Sequence, residues 1–415
     1  MTLASAAPKQ NPPSPNPPHL RPKPNRHRAA LNMATTLSAL LSLPTAWPSL
    51  KNASPALKSE PLARLAELSV RHPDLAPHLT REMALRARRF MNGVDLYKKH
   101  PAQRGIEVAP VVWKSGTTLL RDYAPHAATH APVVLVVPSL INRFTILDIQ
   151  PEHSFLRLLA AHGFKPLVVD WNAPGEDERD FTLGDYVTER LVSALRVAAA
   201  KGPAHIIGYC MGGLLALALA QLEPSLTRSL SLLATPWDFH AGYDAAGQAG
   251  RGLEDKLQPW LSQGDFMPVD VIQGVFTSLQ PMQAMCKFSN FAALDQTSLD
   301  AARFVLIEDW LNDGVALPAP AARECFGDFC ARNVTAKGAW KVGDTIIDPH
   351  SIAVPSYVVV PGRDRIVPPE SAMPLAHAIP HALRHEPMLG HIGIMASPQA
   401  PHQVWKPLVG WMEAH

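Results

Sequence analysis

The sequence predicts an α/β fold in which a mainly parallel central sheet is interrupted by an inserted helical cap domain. Continuous apolar runs alternate with helical stretches over residues 107–239 and again over residues 351–415, as is typical of parallel strands joined by helices. Residues 240–350 lack this alternation and are rich in Met, Phe, Gln and Trp. A segment of that length inside a domain indicates a helical cap rather than a loop.

Composition excludes several classes of protein. The 38 basic and 36 acidic residues leave a formal net charge of +2, so the chain lacks the positive electrostatic field that favours binding to nucleic acid. No run of about 18 apolar residues occurs, and no transmembrane helix is expected. Four cysteines are too few for a disulfide scaffold in 415 residues. Cys325 and Cys330 lack the second His or Cys pair that a zinc site needs, so no metal is expected.

The N-terminal part of the chain is unusually rich in proline. The sequence holds 41 prolines, with a dense tract near the start, and residues 1–59 contain no Asp or Glu. Such a stretch buries too little apolar surface to offset its ordering entropy, which predicts a disordered or polyproline-like extension. Residues 33–50 faintly resemble a targeting peptide, but two prolines interrupt them. We favour an extension read from an upstream start codon, with Met33 as an alternative start.

Helices and a hairpin precede the alternating region. Leucines, alanines and charges recur with helical spacing over residues 60–106, which predicts N-terminal helices. Segments 107–113 and 118–123 alternate like strands, and a Lys-Ser-Gly sequence at 114–116 predicts the turn between them.

The remaining elements follow from apolar runs and helical periodicity. Predicted strands lie at residues 132–137, 165–170, 204–208, 229–233, 356–360 and 383–388. Predicted helices lie at residues 154–161, 185–200, 211–222, 271–285, 301–311, 370–378 and 402–412.

The most informative motif joins the third of these strands to an apolar helix. Residues 208–213 read Gly-Tyr-Cys-Met-Gly-Gly, the G-x-S-x-G nucleophile elbow of α/β hydrolases with Cys210 in place of serine. The tight turn needs glycine wherever a Cβ would strike a neighbouring element. It lifts the nucleophile above the sheet at a helix N terminus, which favours a thiolate. The alternative is a buried structural cysteine.

Asp364 and His391 complete a candidate triad with this cysteine. They occur in the α/β-hydrolase order of nucleophile, acid and histidine, and each follows a predicted strand. Taken singly, Asp364 is a turn-forming aspartate and His391 is one histidine among 18. His162 and His205 are expected to serve helix termination and packing.

Two backbone N–H groups are candidate oxyanion donors. Met211 follows the nucleophile, and its N–H would point at a developing oxyanion. Leu140 lies in the loop after the first buried strand, where the second donor is expected. Asn142 and Arg143 of that loop alternatively cap and brace it.

A cysteine nucleophile suits acyl transfer from a thioester to a hydroxyl group. One thioester replaces another at little free-energy cost, and the acyl-cysteine stays activated for attack by an alcohol. Such transfer requires that water be excluded, and the apolar cap offers a means of exclusion.

At this point the sequence resembles the polyhydroxyalkanoate synthases, most closely their shorter class III type, over roughly residues 133–412. The resemblance rests on spaced blocks at residues 138–143 (PSLINR), 146–151 (ILDIQP), 169–171 (VDW), 182–187 (TLGDYV), 208–213 (GYCMGG), 235–239 (TPWDF) and 390–394 (GHIGI).

The resemblance implies an acyltransferase that polymerises 3-hydroxyacyl-CoA through a cysteine thioester and releases CoA. It implies Cys210 as nucleophile, His391 as its base, and Asp364 as the residue that orients His391 or activates the incoming 3-hydroxyl. No cofactor is implied, because the CoA thioester is the substrate. The implied partners are a second copy of the chain, a second synthase subunit and the surface of a polyester granule in the cytoplasm.

The sequence departs from the family at several points. Arg365 stands where the family usually has histidine after the aspartate, and the proline-rich front replaces a longer N-terminal domain. One alternative is a hydrolase that uses the same triad on thioesters, polyhydroxyalkanoate oligomers or lactones. The dienelactone hydrolases share a Gly-Tyr-Cys-x-Gly-Gly box but lack a cap of this size. A granule scaffold on a decayed hydrolase fold is the other alternative, and the complete triad argues against it.

Overall fold

The computed structural model describes Arg26, Arg71 and residues 75–105, 109–242, 253–279 and 281–415. The predicted extension over residues 1–59 therefore lies outside the described residues, apart from Arg26. The same is true of most of residues 60–74.

One large sheet forms the centre of the described part of the chain. Its eight strands are β1 Val111–Ser115, β2 Thr118–Asp122, β3 Val133–Val137, β6 Lys165–Asp170, β7 Ala204–Tyr209, β8 Thr227–Leu233, β13 Ser356–Val359 and β14 Leu383–His385. They lie side by side in the order β1-β2-β6-β3-β7-β8-β13-β14. Within this order, every pair of neighbouring strands from β6 onwards is parallel. Short two-stranded ribbons are formed by β4 Asp148–Gln150 with β5 His153–Ser154, β9 Phe266–Met267 with β10 Leu317–Pro318, and β11 Lys341–Val342 with β12 Thr345–Ile346.

Helices cover both faces of this sheet. The α-helices are α1 Leu75–Lys99, α2 Phe155–Ala161, α3 Leu183–Asp185, α4 Val192–Ala198, α5 Met211–Leu222, α6 Leu253–Gln263, α7 Val269–Leu279, α8 Pro281–Phe291, α9 Leu299–Asn312, α10 Ala319–Arg323, α11 Pro369–Ala378, α12 Gly393–Ala396 and α13 Lys406–Glu413. Wider π-helical turns lie at Tyr186–Leu191, Glu324–Ala331 and Pro401–Trp405.

The parallel strands are buried on both faces, which explains their continuous apolar sequences. Along β3, Leu135 and Val137 pack in one core layer, and Val134 and Val136 pack in the other. Side chains alternate between the faces of a strand, so a sheet covered on both sides needs apolar residues at every position.

Several predictions about individual elements are wrong. The predicted helix 271–285 is covered by two helices, α7 and α8, and residue 280 between them lies outside the described residues. The second helix begins at Pro281, a residue that is tolerated at the first position of a helix. The turn predicted at 114–116 instead comprises residues 116 and 117, since Ser115 pairs with Thr118 in the hairpin. The last strand ends at His385 rather than residue 388.

The segment between β8 and β13 carries helices α6 to α10 in place of strand–helix units. Part of it packs on α1 through an aromatic cluster, in which the Phe288 ring lies 6.1 Å from that of Phe90 and 5.6 Å from that of Tyr97. The domain boundaries proposed from the sequence stay predictions. Within the described ranges, no helix combines the length and apolar character needed to span a membrane.

Candidate active site

Cys210 occupies the turn between β7 and α5. Its φ of 56° and ψ of −129° lie in a region that non-glycine residues rarely adopt. The Cys210 N–H donates to the Leu233 carbonyl at 2.9 Å, which ties the turn to the neighbouring strand β8. Backbone strain of about 1–3 kcal/mol persists only where the surroundings enforce it, and such sites are concentrated in active sites.

The glycines of the motif allow the turn to pack closely. A Cβ on Gly208 would lie 2.5 Å from the Cα of Gly213 and 2.7 Å from the Cβ of Ala216. A Cβ on Gly213 would strike the side chain of Thr235. The sequence Gly-Tyr-Cys-Met-Gly-Gly is therefore required by contact between strand and helix as well as by the turn.

His391 and Asp364 lie together beside this turn. The His391 Nδ1–H donates to Asp364 Oδ2 at 2.7 Å, and the other carboxylate oxygen accepts the N–H groups of Ile366 and Val367 at 2.8 Å each. The aspartate and histidine are only 4% and 7% exposed, whereas Cys210 is partly exposed. Asp364 thus fixes the orientation of the ring, and a substrate can approach the sulfur.

The His391 ring also interacts with the side chain of Cys210. Burial lowers the pKa of His391, but the charge of a Cys210 thiolate, the charge of Asp364 and hydrogen bonds to both side chains outweigh it. The result is a pKa raised from 6.5 to about 10. At neutral pH the His391 ring is therefore protonated, as a thiolate–imidazolium pair with Cys210 requires. The structure brings the three predicted residues together, and their catalytic roles stay predictions.

The oxyanion loop, residues 138–143, begins against the first turn of α5. A Cβ on Gly212 would lie 2.5 Å from the Pro138 carbonyl oxygen, so only glycine permits this approach. Pro138 accepts a hydrogen bond from Trp171 Nε1 at 3.0 Å, and Leu140 is buried. Met211 and Leu140 thus belong to adjoining elements at the nucleophile, and their roles as oxyanion donors stay predictions.

Most of the chain matches a known protein family. Residues 132–398 match the family model described as alpha/beta hydrolase fold, which is more than half of the chain. The chain belongs to the α/β-hydrolase fold family. The predicted fold class is confirmed.

The chain also shows more specific similarity to polyester polymerases. Residues 104–159 match the model described as Poly-beta-hydroxybutyrate polymerase (PhaC) N-terminus. The Poly(3-hydroxyalkanoate) polymerase subunit PhaC of Haloferax mediterranei is 27% identical over 72% of this chain, and the chain spans 63% of that protein. The same-named subunits of Allochromatium vinosum and Synechocystis are 26% and 23% identical over 82% and 78% of this chain, which spans 98% and 90% of them. The family resemblance and the expectation of an acyltransferase-type enzyme are confirmed.

Tyr209 contacts the candidate site although the sequence did not predict a role for it there. Its hydroxyl donates to the His391 carbonyl oxygen at 3.2 Å, and the two rings lie 5.4 Å apart. Burial, together with the charges of Cys210 and Asp364, raises the pKa of Tyr209, so the phenol keeps the proton that it donates. Tyr209 thereby holds the backbone that carries the candidate base. The signal in the sequence that could have identified Tyr209 was its position next to Cys210 in the motif.

A second sulfur group lies behind the nucleophile. The Cys325 thiol donates to the Met211 sulfur at 3.8 Å and forms a further hydrogen bond with Cys330. The bond to Cys330 and burial raise the pKa of Cys325, which keeps it a neutral thiol. The two cysteines weighed as zinc ligands instead pack the cap against the elbow. In the ranges that the structure describes, no group of three or more His, Cys, Asp or Glu is arranged to hold a metal.

The other residues named from the sequence lie apart from the nucleophile. The His205 ring bonds the Ser229 hydroxyl at 2.7 Å within the core, and His162 ends α2, as predicted for packing and helix termination. Arg365, the departure from the family pattern, is exposed beside the buried Asp364.

Proposed function

We propose that this protein is a polyhydroxyalkanoate synthase that transfers 3-hydroxyacyl groups from CoA to Cys210 and then to a growing polyester. The observation that carries the proposal is a cysteine, rather than a serine, at the strained elbow, beside a His391 ring whose Nδ1–H donates to Asp364. The similarity to poly(3-hydroxyalkanoate) polymerases supports the substrate class.

In the loading step, the Cys210 thiolate attacks the thioester carbonyl carbon. The new C–S bond forms, the negative charge moves to the carbonyl oxygen, and the bond to the CoA sulfur then breaks. CoA leaves with the proton of the His391 imidazolium, so that the ring is neutral for the next step. The negative charge on the carbonyl oxygen is stabilised by the N–H groups of Met211 and Leu140.

In the elongation step, the hydroxyl of a second acyl group attacks the acyl-cysteine. His391 accepts the hydroxyl proton, an ester bond forms, and the bond to the Cys210 sulfur breaks. Both carboxylate oxygens of Asp364 already accept hydrogen bonds, which supports the role of orienting His391 over direct activation of the hydroxyl.

The proposal is tested by incubating the purified protein with 3-hydroxybutyryl-CoA. We expect release of CoA, quantified by chromatography, together with an insoluble polyester, quantified by chromatography after acid methanolysis. Release of CoA with free 3-hydroxybutyrate alone would identify the protein as a hydrolase with the same triad.

The Cys210→Ser variant is the matched control. Serine preserves the turn and the hydrogen bond, but it is a far weaker nucleophile without a charged form near neutral pH. We expect roughly a thousandfold loss of CoA release or more, with an unchanged circular-dichroism spectrum. Full turnover by this variant would remove Cys210 from the mechanism.

We also propose that the active species is a homodimer, that a second synthase subunit increases its activity, and that the protein binds the surface of the granules it makes in the cytoplasm. Three relatives are themselves named as polymerase subunits, which supports a second component. Sedimentation with and without substrate, and the same assay with added candidate subunits, test these points.

A further inference from the structure

The oxyanion loop is bonded to the cap as well as to the core. On the core side, Gly212 packs against Pro138, and Trp171 donates to the same carbonyl. On the cap side, the loop meets the C-terminal end of α9. The loop therefore lies between the core and the C-terminal end of α9.

Side chains at the end of α9 bind the last residues of the loop. The Trp310 indole Nε1–H donates to the Arg143 carbonyl at 2.7 Å, and the Asn142 amide donates to the Trp310 carbonyl at 3.4 Å. The Arg143 guanidinium forms an ion pair with Asp313 at 3.0 Å. Asn142 and Arg143, which were interpreted from the sequence as bracing the loop, thus contact Trp310 and Asp313.

Backbone groups continue the contact beyond α9. The Val315 N–H donates to the Ile141 carbonyl at 2.8 Å, and Asn142 and Gly314 form an antiparallel bridge. Three consecutive loop residues are consequently bonded to one short cap segment. Leu140, the candidate oxyanion donor, precedes them directly.

We propose that Trp310 and Asp313 are positioning residues for the oxyanion loop, so that the cap is part of the catalytic geometry. This inference rests on the proposed function, because it assigns these residues to the acyl-transfer reaction of Cys210. An oxyanion donor acts only when it is fixed before the charge develops, and a displacement of about 1 Å costs of the order of a hundredfold in rate. Trp310 and Asp313 touch no reacting atom and act through the loop.

The experiment compares two reactions of the same sulfur. Acylation by 3-hydroxybutyryl-CoA develops an oxyanion, whereas alkylation by iodoacetamide displaces iodide without one. Both require the thiolate–imidazolium pair. Acylation is followed by single-turnover release of CoA, and alkylation by peptide mass spectrometry at Cys210, because Cys286 is also exposed.

Trp310→Phe removes the indole donor and keeps an aromatic ring, and Asp313→Asn removes the charge of a side chain that is 45% exposed and tolerates change. Trp260→Phe is the matched control, since Trp260 is an exposed tryptophan of the cap helix α6. We expect Trp310→Phe to lower the acylation rate and kcat at least tenfold, with KM and alkylation within about twofold of wild type. Asp313→Asn should give a smaller loss of the same kind, and Trp260→Phe none.

Unchanged acylation in both loop variants would overturn the inference. A parallel fall of acylation and alkylation would also overturn it, because that result indicates general damage to the site. If the wild-type protein is not acylated by the hydroxyacyl-CoA, the proposed function fails. The same comparison with a simple activated thioester then still tests the role of Trp310.

Discussion

Cys210, Asp364 and His391 follow the ends of β7, β13 and β14, whereas the cap residues at the same site lie on helices and loops. In the core, parallel pairing fixes where each strand ends, and backbone hydrogen bonds place the three side chains. The cap reaches the site through separate bonds, such as that of the Trp310 indole to the Arg143 carbonyl and that of the Val315 N–H to the Ile141 carbonyl. The chemical groups are thus placed by the strands of the sheet, and their surroundings by a small number of bonds from the cap.

This difference predicts where substitutions have large effects. A change in the core moves a reacting group or a backbone that cannot adapt. A change in the cap removes one of several bonds, and the others remain. The following predictions test that contrast from the largest effect to the smallest.

Asp364→Asn should have the largest effect on activity. The amide cannot accept the His391 Nδ1–H as a carboxylate does and does not stabilise an imidazolium, so we expect CoA release to fall by roughly 10²–10⁴-fold. The neighbouring Arg365→Ala is the control, because Arg365 is exposed. Activity of Asp364→Asn close to that of Arg365→Ala would show that the carboxylate is not needed.

Gly208→Ala should have the largest effect on stability. The added Cβ would lie within 2.7 Å of both Gly213 and Ala216, at a point where strand and helix are both fixed. We expect the free energy of unfolding in urea to fall by about 3 kcal/mol or more. Gly410→Ala is the matched control in α13, where a Cβ meets nothing within 4 Å, and it should stabilise by about 0.5–1 kcal/mol. Equal effects of the two would contradict the close packing of the elbow.

The pKa of His391 should depend on the cysteine. We expect the ring to titrate near pH 10 in the wild-type protein, followed by nitrogen-15 NMR of labelled histidine. In Cys210→Ala the thiolate charge and its hydrogen bond are lost while burial remains, so the pKa should fall. An unchanged value in that variant would refute the thiolate–imidazolium pair.

The same shift has a consequence for stability. Because the folded-state pKa of His391 lies above the ordinary 6.5, the folded ring keeps a proton that the unfolded ring has lost between about pH 6.5 and 10. The resulting stabilisation is complete below pH 6.5 and disappears as pH rises to about 10. Urea denaturation across this range should show a smaller alkaline loss for Cys210→Ala than for the wild type.

Arg26→Gln should have a smaller effect, confined to the cap. The Arg26 guanidinium donates to both carboxylate oxygens of Asp309 at 2.7 and 2.8 Å and to the His100 carbonyl at 2.8 Å. Its loss leaves the largely buried Asp309 with the hydrogen bond from the Tyr97 hydroxyl on α1, at a cost of about 1–2 kcal/mol. Arg86→Gln, which breaks an exposed pair with Glu82, is the control and should leave the free energy of unfolding nearly unchanged.

Much of the core could be predicted from the sequence. Strand Lys165–Asp170 and helix Met211–Leu222 have the bounds that their apolar runs indicate. The order of Cys210, Asp364 and His391 predicted their meeting, since each follows a strand of one parallel sheet. These features depend on local periodicity and on topology that is common to the fold.

The rest depends on contacts between distant parts of the chain. The Trp310 indole and the Arg143 carbonyl are 167 residues apart, and the Tyr209 hydroxyl and the His391 carbonyl are 182 apart. No periodicity signals such pairs. The π-helical turns depend on tertiary packing in the same way. The start of a helix at Pro281 is different, because a proline within a predicted helix was a local signal.

The guanidinium of Arg26 bears on how the protein should be produced. A recombinant form that starts at Met33 would lack this cation and would leave the carboxylate of Asp309 beside the end of α9 without its ion pair. Truncations designed only from the proline content of the front would therefore alter the cap, so expression boundaries should keep residue 26.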